Sequence, residues 1–329
     1  MPSHPIAVVG GGAWGTALAQ AAATAGRDVV LWVRDPERAR EMQESRRNAR
    51  YLPDIALHGR IRVTAREDEL GAARGALFVV PAQAMRETVQ ALSPRLAADA
   101  PLVICAKGIE RASGRFLSDV VAELRPAAPV AVLSGPSFAS DVARGLPTAV
   151  TLACTDQDLA SELAAALSGP SFRVYHATDL RGVEIGGAAK NVLAIACGIV
   201  QGRGLGESAK AALTARGFAE LLRFARAHGG RPETLMGLSG LGDVVHSCTS
   251  PQSRNFAFGE RLGQGAPLAD ASAGKLVEGA FTAGVLVELA RQSGVDMPVA
   301  EAVDAIIAGR LTVDQTIEAL LARPIKAEG

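Results

Sequence analysis

A chain of 329 residues is longer than one hydrophobic core usually serves, so two domains with separate cores are expected. A hydrophobic share of 48% against 21% charged residues excludes a disordered chain. Basic and acidic residues balance at 34 each, which excludes a broad electrostatic footprint for nucleic acid or an anionic membrane and leaves any anion site local.

In chain order, the first apolar run, 6–9, has the length of a strand. It passes into "GGGAWG" and an Ala-rich stretch, 14–25, that favours a helix ending before Gly26 as C-cap. The residues before it carry neither a basic segment nor a cleavage site, and no run approaches the roughly 18 apolar residues of a membrane span. A cytoplasmic chain without membrane insertion is therefore expected. Further strands are predicted at 29–33, 76–80, 102–105, 130–133 and 148–152, with helices between them such as 84–92 and 116–124. The segment 51–57, with Pro53 and no clear period, reads as an excursion between units.

Continuous apolar strands alternating with amphipathic helices predict an α/β fold, with an N-terminal Rossmann domain, 1–182, on a doubly wound parallel sheet. From residue 183 only Ala- and Leu-rich periodic segments follow, at 183–201, 208–228, 254–264, 275–293, 298–308 and 312–322. They predict an all-helical C-terminal domain, 183–329. Cys105, Cys154, Cys197 and Cys248 are far apart and form no C-x-x-C pair, so reduced thiols are expected rather than a zinc site or a disulfide framework.

Gly10, Gly12 and Gly15 stand as G-x-G-x-x-G between a predicted strand and a predicted helix, the context in which this motif holds a dinucleotide. Gly10 permits the tight turn, Gly12 lets the backbone approach a pyrophosphate, and Gly15 lets helix and strand pack closely. At the end of the second strand a carboxylate would select NAD through the ribose 2′-hydroxyl, whereas an arginine would pair with the 2′-phosphate of NADP. Arg34 occupies or adjoins that place, while Asp35, just before Pro36, suits the N-cap of the next helix. NADP is the favoured cofactor, with NAD tolerated.

Between Gly182 and Val200 only Glu184, Lys190 and Asn191 are polar, the pattern of a helix buried on nearly every side. A buried ammonium is costly unless paired or put to use, and desolvation brings proton exchange at neutral pH within reach. The positions three and four before Lys190 are Gly187 and Gly186, predicting open space beneath the ammonium for a substrate, with Asn191 as a neighbouring hydrogen-bonding group. The plainer alternative is a lysine paired with Glu184 or reaching the surface.

Lys107 in "AKGIE", and Gly135 and Ser137 in "LSGPSFA", follow strands at their carboxyl ends, the edge where open parallel sheets bind ligands. In "GLSGLGDVVHSCTSPQSRNFAFG" the glycines Gly237, Gly240 and Gly242 predict a flexible turn presenting Asp243. Ser250 or Ser253 suits the cap of a helix whose N-terminus, with Arg254, would meet a phosphate. His246 is a second acid/base candidate or a structural histidine. No histidine has a partner at metal-ligand spacing, so no metal is expected.

In order along the chain, "VVGGGAWGTALA", "LWVRD", "AKGIE", "LSGPSFA", "GGAAKNVLAIACGI", "GLGD" and "SRNFAFG" resemble the bacterial NAD(P)-dependent glycerol-3-phosphate dehydrogenases from residue 6 to about residue 285. The resemblance implies interconversion of sn-glycerol 3-phosphate and dihydroxyacetone phosphate for phospholipid synthesis, by an enzyme whose usual state is a homodimer. It implies that Lys190 is the general acid/base and that Lys107, Gly135, Ser137, Lys190, Asp243, Ser253, Arg254 and Asn255 hold the substrate. To the cofactor it assigns Ala13, Trp14, Arg34, Lys107, Ala139, Arg254, Leu276 and Glu278, beside the three glycines. One rival is a related two-domain ketopantoate or β-hydroxyacid reductase, whose substrate carries a carboxylate instead of a phosphate. Another is a non-catalytic dinucleotide sensor, which has no need of a desolvated base.

Overall fold

The structure, a computed structural model, describes residues 5–324. The first four residues, part of the stretch read for a leader, and the last five lie outside the described residues. The strands are β1 (Ile6–Val9), β2 (Val29–Trp32), β3 (Arg47–Asn48), β4 (Leu52–Ala56), β5 (Ile61–Thr64), β6 (Ala76–Phe78), β7 (Leu102–Ile104), β8 (Val130–Ser134), β9 (Thr148–Cys154) and β10 (Phe172–Ala177). Eight of them form one sheet in the order β10, β9, β8, β7, β6, β1, β2, β5.

Alternate residues of the central strands feed two cores. Val8, Leu31, Leu77 and Val103 face one side, and Ala7, Val30, Phe78 and Ile104 the other, so both faces are covered as in a doubly wound fold. From β5 to β8 every pairing is parallel, but β9 runs antiparallel to β8 and carries β10 with it. The sheet is therefore parallel-dominated, as expected, with one antiparallel pairing between β8 and β9. The chain between β8 and β9 contains one five-residue helix, Ala139–Ala143, too short to cover a face and return, so β9 comes back alongside β8.

Strands β5 and β10 lie at the sheet's two ends and expose Arg62, Arg173 and Tyr175 on one face, so neither shows the continuous apolar run that marks the central strands. The excursion at 51–57 is not featureless, since β4 pairs antiparallel with β3 in a small separate ribbon.

Asp179 caps the long helix Leu180–Gly202 by accepting from the Gly182 amide at 2.9 Å, which starts the helix three residues before the expected position. By length and a mean hydropathy of 1.5 this helix is apolar enough to cross a membrane, yet its apolar stretch is wholly buried in the protein. Helices Glu207–Ala227, Arg254–Gly263, Glu278–Gln292 and Pro298–Ile307 surround it.

The approach of Arg254–Gly263 is closest. A Cβ on Gly198 would stand 2.1 Å from the Phe256 carbonyl oxygen, and one on Gly259 would stand 2.0 Å from that of Ile195. Gly198→Ala is therefore expected to cost about 1–3 kcal/mol of stability or more through overpacking. A thermal-unfolding midpoint equal to that of the unsubstituted protein would overturn this account of the contact.

Glu220 ties the helical half together by accepting from the Val299 and Ala300 amides at 2.9 and 3.4 Å. Burial pushes its carboxyl up to about 7 despite those amides and the charge of Arg223. A carboxyl with a raised folded-state pKa binds its proton more tightly folded than unfolded, so its stabilisation is complete below the ordinary glutamate range. It is lost as pH rises toward about 7. Glu220→Gln should flatten the stability profile between about pH 5 and pH 7, and an unchanged slope in calorimetry across that window would contradict it.

Candidate active site

At the head of the sheet Gly10 has φ of +120°, and a Cβ there would lie 2.4 Å from the Val79 carbonyl oxygen, so the turn after β1 requires glycine. A Cβ on Gly15 would meet the Gly10 oxygen at 1.8 Å, whereas one on Gly12 would meet nothing within 4 Å. Gly12 thus faces open space at the N-terminus of the helix Ala13–Thr24, where free amides point outward. Two of the expected cofactor residues, Trp14 and Glu278, present buried polar atoms, Nε1 and Oε2, that no protein group satisfies. The other carboxylate oxygen of Glu278 accepts from the Ala82 amide at 3.2 Å, bringing the helical half onto the sheet's edge. An open backbone cradle flanked by an orphaned donor and an orphaned acceptor fits a dinucleotide.

Arg34 is exposed at the end of β2. Asp35 caps the helix Pro36–Ser45 as the sequence predicts, its Oδ1 accepting from the Glu37 and Arg38 amides. Ala139 opens the short helix beyond β8, and Leu276 lies half-buried in the loop before the helix Glu278–Gln292, which begins three residues later than expected.

The densest chemistry lies where the long helix crosses the carboxyl edge of the sheet. Lys190 and Lys107 converge on Asp243 from the two halves of the chain. Lys190 Nζ donates to Asp243 Oδ1 at 2.9 Å and to Ser247 Oγ at 2.6 Å. Lys107 Nζ, beyond β7, donates to Asp243 Oδ2 at 2.5 Å and to the Gly135 carbonyl at 2.9 Å. Asp243 is 1% exposed, and burial alone would push its carboxyl up. The two ammoniums outweigh that effect and hold it below the ordinary aspartate value. Burial lowers Lys107 to about 8 in spite of Asp243, with the Lys190 charge adding to the fall.

The alternative pairing and one expectation for this helix both fail. Glu184 does not pair with Lys190; it accepts from the Ser118 amide at 2.8 Å and the Ser118 hydroxyl at 2.5 Å, and Arg181 balances it. Nor do Gly186 and Gly187 leave a void, because the Ser239 carbonyl packs against the first and the Ser134 side chain against the second. These glycines bring Lys190 close to the sheet and to the Asp243 segment, and do not hold space for a substrate.

The segment 237–242 is also no flexible turn. It forms a π-helical turn, Leu238–Gly242, that runs into the helix Asp243–Cys248. That helix places Ser247 one turn after Asp243, on the same face as the lysine pair, and sequence reasoning missed it. The signal was the i, i+4 spacing of "DVVHS", which becomes informative only when the segment is read as helix. His246 packs on Phe138 with ring centroids 3.7 Å apart, burial holds it below the ordinary histidine value, and its buried Nε2 has no partner among the described residues.

Around the lysine pair, Ser137 Oγ donates to the Gly135 carbonyl at 3.0 Å. Ser253, not Ser250, caps the helix Arg254–Gly263 by accepting from the Phe256 amide, and Arg254 stands exposed at its first turn. Asn255 donates to Asn191 Oδ1 at 2.9 Å and accepts from the Gly279 amide at 2.9 Å, while Asn191 donates to the Lys107 carbonyl at 3.3 Å. Both asparagines therefore join the helices and the Lys107 loop as one frame.

Residues 5–160 match the family described as NAD-dependent glycerol-3-phosphate dehydrogenase N-terminus, and residues 179–318 the corresponding C-terminus. The chain is 63% identical to a glycerol-3-phosphate dehydrogenase [NAD(P)+] of Methylobacterium radiotolerans and 61% identical to one of a Bradyrhizobium species, in each case covering 98% of both chains. Among solved structures, glycerol-3-phosphate dehydrogenase from Coxiella burnetii superposes with a TM-score of 0.93 at 39% identity, covering 98% of this chain and 99% of that one. A ketopantoate reductase from Ralstonia eutropha, at 19% identity and a TM-score of 0.61, shares the fold alone. With both halves matched and close relatives aligned end to end, the chain belongs to the NAD-dependent glycerol-3-phosphate dehydrogenase family.

Proposed function

We propose that the protein is a cytoplasmic NAD(P)-dependent sn-glycerol-3-phosphate dehydrogenase, favouring NADP and tolerating NAD, that supplies glycerol 3-phosphate for phospholipid synthesis as a homodimer. Its domains divide at 182/183. The observation that carries the reading is the buried Asp243 gripping one lysine from each half of the chain, beside a glycine turn open to a dinucleotide.

When bound, the nicotinamide supplies or takes up hydride. In the reductive direction the Lys190 ammonium donates a proton to the oxygen developing at C2 of dihydroxyacetone phosphate. In the oxidative direction neutral Lys190 takes the proton of that hydroxyl. Asp243 and Ser247 fix the aim of its Nζ, and Lys107 adds positive charge beside the alkoxide. The phosphate would take the amides at the head of the helix Arg254–Gly263 together with the Arg254 guanidinium, while Gly135, Ser137 and Ser253 shape the approach. An assay of dihydroxyacetone phosphate and ketopantoate, each with NADPH and with NADH, tests the reading. Faster turnover of ketopantoate would overturn the substrate, and cofactor binding without turnover of either would favour a sensor.

A second assignment of the proton rests on Lys107, whose fall to about 8 puts proton exchange near neutrality. If Lys107 were the base, glycerol 3-phosphate oxidation would rise with pH through about 8 and that step would vanish in Lys107→Met. We expect instead that Lys107→Met raises KM more than it lowers kcat, because the step stays with Lys190.

A further inference from the structure

The acid that would select NAD is partly committed. Asp35 Oδ1 accepts from the Glu37 and Arg38 amides at 3.0 and 3.4 Å, which ties one of its two oxygens to its own helix. Arg34, the expected partner of a 2′-phosphate, is exposed, and a free arginine side chain loses rotamer entropy on binding.

Arg38, one turn along the same helix, is held. Its Nη2 donates to the Gly11 carbonyl, inside the glycine turn, and to Asn48 Oδ1 at 3.3 Å. Its guanidinium carbon lies 4.8 Å from the centre of the Tyr51 ring, and that of Arg50 lies 5.3 Å from the same ring. Arg38 Nε is buried without an acceptor. Asp35, Glu37 and Glu41 line the same hollow as Arg38, Arg40 and Arg50, but among the described residues neither Arg38 nor Arg50 forms an ion pair with a carboxylate.

We infer that Arg38, seconded by Arg50 across the Tyr51 ring, is the group that selects a 2′-phosphorylated dinucleotide, with the exposed Arg34 in a minor role. The inference rests on the dinucleotide reading proposed above. A fixed cation tied to the Gly11 carbonyl sits at the cradle before the cofactor arrives and keeps donors for an acceptor that the protein does not supply. A phosphate dianion gains charge-assisted hydrogen bonds there that a ribose hydroxyl does not.

The test is calorimetric binding of NADPH, NADH, 2′,5′-ADP and 5′-AMP to the full chain and to Arg38→Met, Arg50→Met, Arg34→Met and Asn48→Ala. Arg38→Met is expected to weaken NADPH and 2′,5′-ADP by roughly tenfold to a hundredfold while NADH and 5′-AMP bind as before. Arg50→Met should shift the same pair of ligands in the same direction by a smaller factor, and Arg34→Met least of all. Asn48 holds the Gly11 carbonyl at 3.1 Å and accepts from Arg38, so Asn48→Ala keeps the charge while loosening both the turn and Arg38; it should weaken all four ligands, with a smaller selective loss than Arg38→Met.

An Arg38→Met variant that loses NADPH and NADH equally overturns the inference, as does one that loses neither. So does a larger selective loss in Arg34→Met. Should Arg38→Met fail to fold by circular dichroism, Arg50→Met decides, selective loss supporting the inference and no selective loss overturning it. Absence of binding of either dinucleotide to the unsubstituted chain would instead defeat the dinucleotide reading itself.

Discussion

Lys190→Ala is expected to lower turnover by roughly 10²- to 10⁴-fold in both directions, the range over which a positioned proton donor or acceptor contributes. The fold should survive the change. Alanine suits a helix interior, and Asp243 keeps Lys107 as a counter-ion at 2.5 Å, so the buried carboxylate is not orphaned. Cofactor affinity should also survive, because the glycine turn and its flanking residues lie on other elements. Lys190→Arg sharpens the test. A guanidinium restores the positive charge beside Asp243 but does not give up its proton, so charge alone would be recovered without acid/base exchange. Near-normal turnover in either variant would remove Lys190 from the chemistry and turn attention to Lys107.

Most of the architecture was legible because the central strands and the long helix bury nearly everything they carry. Their apolar runs read the same whatever the neighbours are. The edge strands β5 and β10 were not legible, since Arg62 interrupts the first and exposed residues alternate through the second, leaving runs too short to stand out. The reversal of β9 is set by a short connection whose consequence appears only in three dimensions.

At the site the residue types were readable and their partnerships were not. Lys190 announced itself as a lone cation in an apolar helix, but nothing in its neighbourhood along the chain pointed to Asp243, 53 residues on. The nearer carboxylate, Glu184, was the natural candidate and is taken by Ser118 and Arg181. In sequence Gly186 and Gly187 signal absence of bulk around a ligand, whereas in the fold they allow backbone and side chains of other elements to close in. A glycine in sequence marks a place without a side chain, and only the fold decides what fills it.

Asp243→Asn should be the most damaging isosteric change in the protein, because one carboxylate serves two ammoniums. The substitution keeps the shape and leaves Lys107 and Lys190 facing each other without a counter-charge, in a place where their side chains are 17% and 9% exposed. Breaking a buried ion pair from one side costs about 3–5 kcal/mol. The cheapest escape is for the lysine pair to shed a proton on folding. The folded state then binds fewer protons than the unfolded one, so the variant's stability should rise with pH across the alkaline range below the ordinary lysine value. The unsubstituted protein should show a shallower rise.

The same proton loss removes the ammonium that reduction requires, so dihydroxyacetone phosphate reduction by the variant should fall off at a lower pH than in the unsubstituted enzyme. Denaturant unfolding at neutral and alkaline pH, paired with a pH profile of reduction, measures both consequences. A variant with unchanged stability and an unchanged profile would mean that Asp243 is a bystander. The coincidence of a stability shift and a profile shift would tie the carboxylate to the charge state of the lysine pair, because a purely structural defect lowers activity without moving the pH at which it declines.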